Sequence, residues 1–190
     1  MDNAKLREAV ERLLEALGED PTREGLADTP ERVASLFAEL YRGVGIDPVT
    51  VLDNAKALAE SDNQLGDLVA LRGIQFSSVC EHHLLPFRGT ADVAYAPHSR
   101  IVGLGVLADL VSVAAARPQM QERLGDMVAD ALVRSGVASG ALVVIRAEHG
   151  CVQHRGPRLA ESETVTMASA GTLREAGARR EALHAMEHSD

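Results

Sequence analysis

Hydrophobic positions follow a helical period near the N-terminus and a strand-like pattern in the middle of the chain. From Leu6 to Leu17, apolar residues recur every three or four positions between charged ones, which predicts an amphipathic helix stopped by Gly18. A second helix is expected from Thr29, with Thr29 as N-cap and Pro30 at the first helical position. A short helix is expected around residues 54–60.

The middle and the end of the chain predict strands alternating with helices. The runs LVALRGIQFSSVC and TADVAYAP are typical of a hairpin, with Pro86–Gly89 as the turn signal between them and CEHH near the bend. Further strands are expected at residues 100–104, 141–149 and 162–170, and helices at 107–116 and from Pro118 to Ser135. Gly156-Pro157 marks a break before the last strand, and a partly exposed helix is expected beyond Gly171.

This alternation predicts one α+β domain without internal repeats. We divide it into an N-terminal helical region (1–66), a core that holds the candidate chemistry (67–172) and a helical tail (173–190). The length of 190 residues suffices for one hydrophobic core.

Charge and composition argue against several classes of partner. With 28 acidic and 19 basic residues, the formal net charge of -9 disfavours general attraction to nucleic acid or to anionic membranes. Aromatic residues make up 3% of the chain, which argues against a surface that stacks single-stranded bases. The N-terminus lacks the apolar core of a signal peptide, so a cytoplasmic protein is expected.

The candidate chemistry lies in two separated cysteine and histidine motifs. Cys80 and His83 are three positions apart, close enough to bind one ion, and His149-Gly150-Cys151 offers a second thiolate at the end of a later strand. Two thiolates and one imidazole would leave tetrahedral zinc one open position, which distinguishes catalytic from structural zinc. The spacing alone leaves two alternatives: a structural zinc with His82 or His149 as fourth ligand, or two quiet buried thiols.

Several separated segments resemble GTP cyclohydrolase I in order and spacing, from about Thr29 to Gly171. They are SSVCEHHLLPFRGTADVAYAP, IVGL, ARPQMQERL and EHGCVQHRG. The resemblance implies hydrolysis of GTP at C8 of guanine, release of formate and reclosure to 7,8-dihydroneopterin triphosphate.

The same resemblance assigns roles to individual residues. It implies that Cys80, His83 and Cys151 bind Zn²⁺ and that His82 and His149 transfer protons. Gln121 and Glu122 would recognise the guanine base, and Arg155 would bind phosphate.

One segment departs from the family pattern. Where the family has a serine and two cations for the triphosphate, this chain has Gly105, Val106 and Asp109. Because a charge-assisted hydrogen bond to phosphate contributes about 1.5–3 kcal/mol, GTP binding would depend on Arg155, with Arg158 or Arg100 as further candidates. We therefore keep a second hypothesis, a substrate with fewer phosphates or a reaction that stops after ring opening.

The resemblance also implies an architecture and an assembly. It implies the T-fold, an antiparallel sheet with two long helices on one face, assembled through strand edges into a homodecamer of two pentamers with shared active sites. A nitrile reductase of the same fold superfamily uses a cysteine nucleophile and a nicotinamide cofactor, but the second thiolate and the paired histidines argue against that chemistry here. The non-enzyme hypothesis is a zinc-bound structural or regulatory ring.

Overall fold

A computed structural model describes residues 1–54, 56–57, 68–98, 100–155 and 158–187 of the chain. Its helices are α1 (Asn3–Ala16), α2 (Thr29–Leu40), α3 (Leu104–Ala115), α4 (Gln121–Arg134), α5 (Gly150–Gln153) and α6 (Ala176–Met186). Its strands are β1 (Lys56–Ala57), β2 (Val69–Cys80), β3 (Pro86–Pro97), β4 (Arg100–Ile101), β5 (Pro118–Gln119), β6 (Ala138–His149) and β7 (Thr164–Gly171). Two 3-10 helices cover Pro48–Asn54 and Thr172–Arg174.

The main sheet has the strand order β5-β2-β3-β6-β7. The pairs β2–β3, β3–β6 and β6–β7 are antiparallel, and only the two-residue strand β5 runs parallel to its neighbour β2. The pair β1–β4 forms a separate two-stranded sheet. The predicted α+β class and its antiparallel sheet are therefore confirmed.

Helices α3 and α4 cover one face of the sheet, as the T-fold expectation requires. The core on this face includes side chains that are fully buried, each of which stabilises the fold by about 1.5–3 kcal/mol. They include Leu107, Leu110, Leu124, Leu132, Val143 and Ile145.

The opposite face of the sheet is partly covered by α6. A smaller cluster there joins Leu142 and Val144 of β6 to Ala182 and Met186 of α6. The predicted tail helix is confirmed, and it packs on the sheet. Helices α1 and α2 pack against each other, with Val10 and Ala34 buried between apolar positions that recur at helical spacing.

The hairpin turn lies elsewhere than expected. The turn between β2 and β3 covers residues 81–85, and Pro86–Gly89 belongs to β3 instead of forming the turn. Gly89 serves a different purpose there, because a Cβ at this position would lie 1.9 Å from the carbonyl oxygen of Arg146 on β6. The glycine permits close approach of two backbones and does not mark a bend.

Three predicted helix starts shift by one to three residues. Helix α3 begins at Leu104 instead of at residue 107, so the strand expected at 100–104 is limited to Arg100–Ile101. Helix α2 begins at Thr29 with Asp28 as N-cap, so the expectation of Thr29 as N-cap was wrong by one position. Helix α4 begins at Gln121, because Pro118 and Gln119 extend alongside β2 before the helix starts.

Three other expectations lie largely or wholly outside the described residues. These are the short helix at 54–60, the Gly156-Pro157 break and the boundary between residues 66 and 67.

Candidate active site

The turn between β2 and β3 places two of the predicted metal ligands. Cys80 is the last residue of β2, and its amide donates to the carbonyl oxygen of Leu85 at 2.8 Å. The amide of Leu84 donates in return to the carbonyl oxygen of Cys80 at 2.9 Å. Leu84 has φ 52°, in the left-handed region that side chains other than glycine, asparagine and aspartate rarely adopt. The two hydrogen bonds close the turn and hold His83 above Cys80.

The third predicted ligand joins the other two from β6. Cys151 is the second residue of the short helix α5 that follows β6, and the ligand atoms of Cys80, His83 and Cys151 all lie within 4.8 Å of one another. Sγ of Cys80 is 3.9 Å from Nδ1 of His83. Zinc–sulfur bonds of about 2.3 Å at tetrahedral angles put neighbouring ligand atoms about 3.7 Å apart, so this donor set fits zinc.

The group has three members among the residues that the structure describes. His82 approaches Cys80 with Nδ1 at 4.0 Å from Sγ, but its side chain is mostly exposed and it is not one of the three. His149 is not a member either. This arrangement favours the site with an open position over a closed site with four protein ligands.

An ion pair ties the ligand turn to helix α4. Arg123 donates to both carboxylate oxygens of Glu81, one of them at 3.2 Å. The amide of Glu81 also donates to the carbonyl oxygen of Gln119 at 3.1 Å. The Arg123 guanidinium holds the pKa of Glu81 below its usual value, mainly through the side-chain hydrogen bond. The turn with the ligands and the start of α4 are thereby joined.

His149 lies at the end of β6 with two constraints on its ring. The imidazole stacks on Phe87 with 4.7 Å between ring centroids and 3° between the ring planes. Its Nε2 lies 2.8 Å from Oε1 of Gln121. Burial lowers the pKa of His149, and the carboxylate of Glu122 acts in the opposite direction.

The two thiols influence one another. Burial raises the pKa of Cys151, and the neighbouring Cys80 raises it further. Two thiolates at this separation repel, and a bound divalent cation removes the repulsion by stabilising both. The chemistry of the donors therefore favours a metal over two free thiols.

A cavity of about 430 Å³ contains the predicted site residues, a volume within the range of small-molecule sites. Its lining includes the residues Cys80, His82, His83, Gln121, Glu122, His149 and Cys151. Among the described residues, the exposed carboxylate of Glu122 has no hydrogen-bond or ion-pair partner. Seven of the eight predicted site residues thus line one cavity.

The eighth, Arg155, is exposed just after α5 and does not line this cavity. It is near enough to Cys151 to favour the thiolate. Arg158 is exposed as well, with φ 50°. Arg100 donates to the carbonyl oxygen of Ser135 at the far end of α4, about 20 Å along the helix from Gln121. Within one chain, that position removes Arg100 from the phosphate candidates of this cavity.

The segment that departs from the family pattern begins α3. Gly105 and Asp109 are exposed there, and Val106 is half-buried against the core. The other end of α3 lies near the metal ligands, because Ser78 donates to the carbonyl oxygen of Ala115 at 2.7 Å. At about 1.5 Å per residue, Gly105 is about 15 Å from that end. Within one chain, the segment is therefore remote from the Cys-His-Cys group.

Three residues of the site could not be recognised from sequence patterns. Phe87 stands in the supposed turn, yet it stacks on His149 because the two residues are register partners on β3 and β6. Glu81 and Arg123 are charged residues of ordinary appearance, and their pairing depends on the tertiary approach of a turn and a helix. The motif around Cys80 indicated where the site lies, but it did not indicate the contacts of Phe87, Glu81 and Arg123.

Comparison with known proteins identifies the relatives of this chain. The family described as GTP cyclohydrolase I matches residues 6–187. A protein of Leifsonia xyli subsp. xyli named GTP cyclohydrolase 1 is 46% identical over 182 residues, which is 96% of this chain and 94% of the relative. The protein of the same name from Streptococcus pyogenes serotype M49 is 42% identical over 191 residues, covering 100% and 96% of the two chains.

Among solved structures, the archaeosine synthase QueF-Like in its apo form is similar with a TM-score of 0.45 at 19% sequence identity. The similarity covers 57% of this chain and 97% of that one. In the part of the chain that the structure describes, no helix has the length and apolar character needed to cross a membrane. The match over nearly the whole chain, together with two relatives above 40% identity, shows that this chain belongs to the GTP cyclohydrolase I family.

Proposed function

We propose that this chain is a zinc-dependent hydrolase that opens the imidazole ring of GTP at C8, releases formate and forms 7,8-dihydroneopterin triphosphate. Membership of the GTP cyclohydrolase I family makes it a hydrolase of this type. One observation carries the finer assignment: the three ligand atoms of Cys80, His83 and Cys151 meet in a cavity that His82, His149 and Glu122 also line.

The proposed metal roles follow from the donor set. Cys80, His83 and Cys151 would hold Zn²⁺. When bound with one open position, zinc supplies a water of lowered pKa as the nucleophile for C8.

The two cavity histidines that are not proposed metal ligands, His82 and His149, are the proposed proton carriers. The side chain of His82 is largely exposed in the turn between β2 and β3, whereas the ring of His149 is partly buried and stacks on Phe87. An imidazole with a pKa near 6.5 can give a proton to a ring nitrogen and take one back as the C–N bonds break. Their different exposure fits two separate transfers.

Glu122 is the proposed base-recognition group. Its carboxylate is exposed on the cavity wall and lacks a partner among the described residues, so it is available to accept hydrogen bonds from the N–H edge of guanine. It lies in the first turn of α4.

An assembly with shared sites is part of the proposal. Strand β7 is a sheet edge with Val165 and Met167 more than half exposed. At the other edge, β5 covers β2 only at Val79 and Cys80. Open edges of this kind are suited to pairing between copies, and a neighbouring copy could bring its α3 segment to the cavity that the chain's own α3 does not reach. We propose a homodecamer of two pentamers on this basis.

A second candidate substrate rests on the α3 segment. Gly105, Val106 and Asp109 offer no cation to a triphosphate, which carries roughly four negative charges. If no other cation replaces them, the preferred substrate is GMP, guanosine or a related purine, or the reaction ends after ring opening. A zinc-bound ring without turnover is the non-enzyme alternative.

The deciding experiment incubates zinc-loaded protein separately with GTP, GMP and guanosine and follows formate release and pterin fluorescence. Both signals from GTP alone support the main proposal. Formate from GMP or guanosine in preference to GTP, or formate without fluorescence, supports the second candidate. The Cys151→Ala variant serves as a control for metal-independent turnover. No formate from any substrate, with zinc bound at one ion per chain, contradicts both.

A further inference from the structure

The side chain of Gln121 is almost completely buried, with 1% of its surface exposed. Its amide nitrogen donates to the carbonyl oxygen of Ile145 at 3.0 Å and to that of Thr164 at 2.9 Å. Its Oε1 lies 2.8 Å from Nε2 of His149. One side chain thus joins the start of α4 to β6, to β7 and to a candidate catalytic imidazole.

These contacts determine the orientation of the amide. A glutamine amide has two N–H donors, and both are used on carbonyl oxygens. The flipped amide would direct its own oxygen at two carbonyl oxygens, and these acceptors would repel one another in a buried environment. Oε1 of Gln121 therefore faces His149, and it can only accept a hydrogen bond.

The acceptor in turn determines the tautomer of the imidazole. A neutral imidazole has one N–H, and the hydrogen bond to Oε1 requires it at Nε2. The lone pair then resides on Nδ1. Stacking on Phe87 restricts rotation of the ring, which hinders the flip that would put Cε1 in the place of Nε2 opposite Oε1.

We infer that Gln121 is a positioning residue that fixes the Nε2–H tautomer of His149 and leaves Nδ1 as the nitrogen that exchanges protons with the substrate. With both donors satisfied inside the chain, Gln121 is not a donor to the base. Recognition of guanine then depends on its neighbour Glu122. The catalytic consequence rests on the proposed function, whereas the tautomer itself does not.

The first test reads the tautomer directly in the intact wild-type protein. Protein labelled with 15N at histidine is studied at roughly pH 8, well above the ordinary imidazole pKa of about 6.5. The ring signals of His149 are identified by their loss in His149→Gln. We expect a protonated-type 15N signal for Nε2 and an unprotonated type for Nδ1. The reverse pattern, or an even mixture, overturns the inference without reference to activity.

Two variants separate positioning from a general effect on folding. Gln121→Met keeps the length of the side chain and removes the acceptor, so both tautomers of His149 should become populated. Gln119→Met is the matched control: Gln119 is also fully buried and donates to a backbone carbonyl, that of Ala114, but it does not contact His149. Gln119→Met should leave the tautomer of His149 unchanged. If Gln121→Met folds and the tautomer of His149 is also unchanged, the inference is contradicted. If Gln121→Met does not fold, the wild-type spectrum alone tests which nitrogen carries the proton.

Steady-state kinetics are the third test of the inference. Gln121→Met should lower kcat by about 10²-fold with little change in KM, because a misplaced proton removes general acid–base catalysis. In the His149→Gln background the same substitution should add no further loss. A rise in KM at unchanged kcat would make Gln121 a base-recognition residue and overturn the assignment. Absence of turnover in the wild-type protein would contradict the proposed function while leaving the spectroscopic result valid.

Discussion

The starts of α4 and α3 differ in how firmly the rest of the chain holds them. Gln121 and Arg123 at the start of α4 are bound to β6, β7 and the ligand turn by hydrogen bonds and an ion pair. At the start of α3, the position that a Cβ of Gly105 would take has no atom within 4 Å, and Asp109 is exposed. The first region is defined by packing within one chain, and the second is open to substitution at little cost to the fold.

This difference separates two parts of the proposed reaction. The residues proposed for metal binding and proton transfer share supporting contacts, so substitution of a supporting residue such as Gln121 disturbs several partners. The residues at the start of α3 have few partners in the described chain, so they could change without such consequences. Tolerance of this kind explains how the α3 segment could depart from the family pattern while the Cys-His-Cys group is complete.

Loss of a thiolate ligand should have the largest effect. We expect Cys151→Ala to lose bound zinc and to reduce formate release to background, because the open-site geometry needs all three ligands. The fold should persist, since its core lies mainly between α3, α4 and the sheet. Zinc content, formate assays and circular dichroism check the three statements. An unfolded metal-free protein would show instead that the site is structural.

Removal of a proton carrier should have the next largest effect. His82→Ala and His149→Gln should each lower kcat by about 10²–10⁴-fold while zinc stays bound, since neither imidazole belongs to the ligand group. Single-turnover rates and metal analysis provide the measurement. His184 is an exposed histidine of α6, and His184→Ala is the control that should retain activity. Loss of zinc from His82→Ala would favour the closed four-ligand site.

Introducing cations at the start of α3 tests whether this segment contacts the phosphates of the substrate. Val106→Lys combined with Asp109→Arg should lower KM for GTP by about 10-fold or more, because each charge-assisted bond to phosphate contributes about 1.5–3 kcal/mol. KM for guanosine, which has no phosphate, should not change.

The matched control for charge is Glu11→Arg, which makes the same change as Asp109→Arg at an exposed position of α1. Equal responses of GTP and guanosine, or an equal effect of Glu11→Arg, would show that the α3 segment does not contact phosphate.

Breaking the ion pair between Glu81 and Arg123 should have the smallest effect. Glu81→Gln should weaken zinc binding by about tenfold, the low end of the loss typical of residues that orient a metal ligand, because the Glu81 side chain supports the turn and does not contact a ligand atom directly. Because the pair holds the folded-state pKa of Glu81 below its ordinary value, its stabilisation is present above that ordinary value. It is lost as the pH falls through the lower, folded-state value.

The measurement is the Tm of wild type and of Glu81→Gln as a function of pH. The difference between the two Tm values should become smaller as the pH falls into the acidic range. Glu31→Gln, which removes an exposed contact with Arg7 between α2 and α1, is the control for loss of a surface charge. A zinc affinity equal to that of wild type would show that the pair does not support the turn.

Sequence patterns predicted most of the fold because periodicity reports which face of an element is buried. The strand ending in Cys80, the helix preceding Gly136 and the strand ending in His149 all follow that signal. The errors arose where one residue type serves two purposes. Gly89 was taken for a turn residue, but it is required by the close approach of Arg146 on the neighbouring strand.

The candidate site shows a similar limit. The spacing of Cys80, His83 and Cys151 indicated a metal group, and the structure brings these residues together. The resemblance suggested Gln121 as a base-recognition residue, yet its amide contacts three partners that lie 24, 43 and 28 positions away in the chain. Such convergence has no local signal, because it depends on the register of β6 and β7.

The closed turn between Cys80 and Leu85 also bears on how the ion is acquired. Its hydrogen bonds join backbone groups only, and together with the left-handed Leu84 they define the turn through atoms that are not metal ligands. An ion that enters a preorganised site loses less free energy to ordering the chain than one that must first fold a loose loop. If the turn is preorganised in this way, we expect metal capture to depend chiefly on deprotonation of the two thiols, and removal of the metal by a chelator to leave the conformation of the turn unchanged.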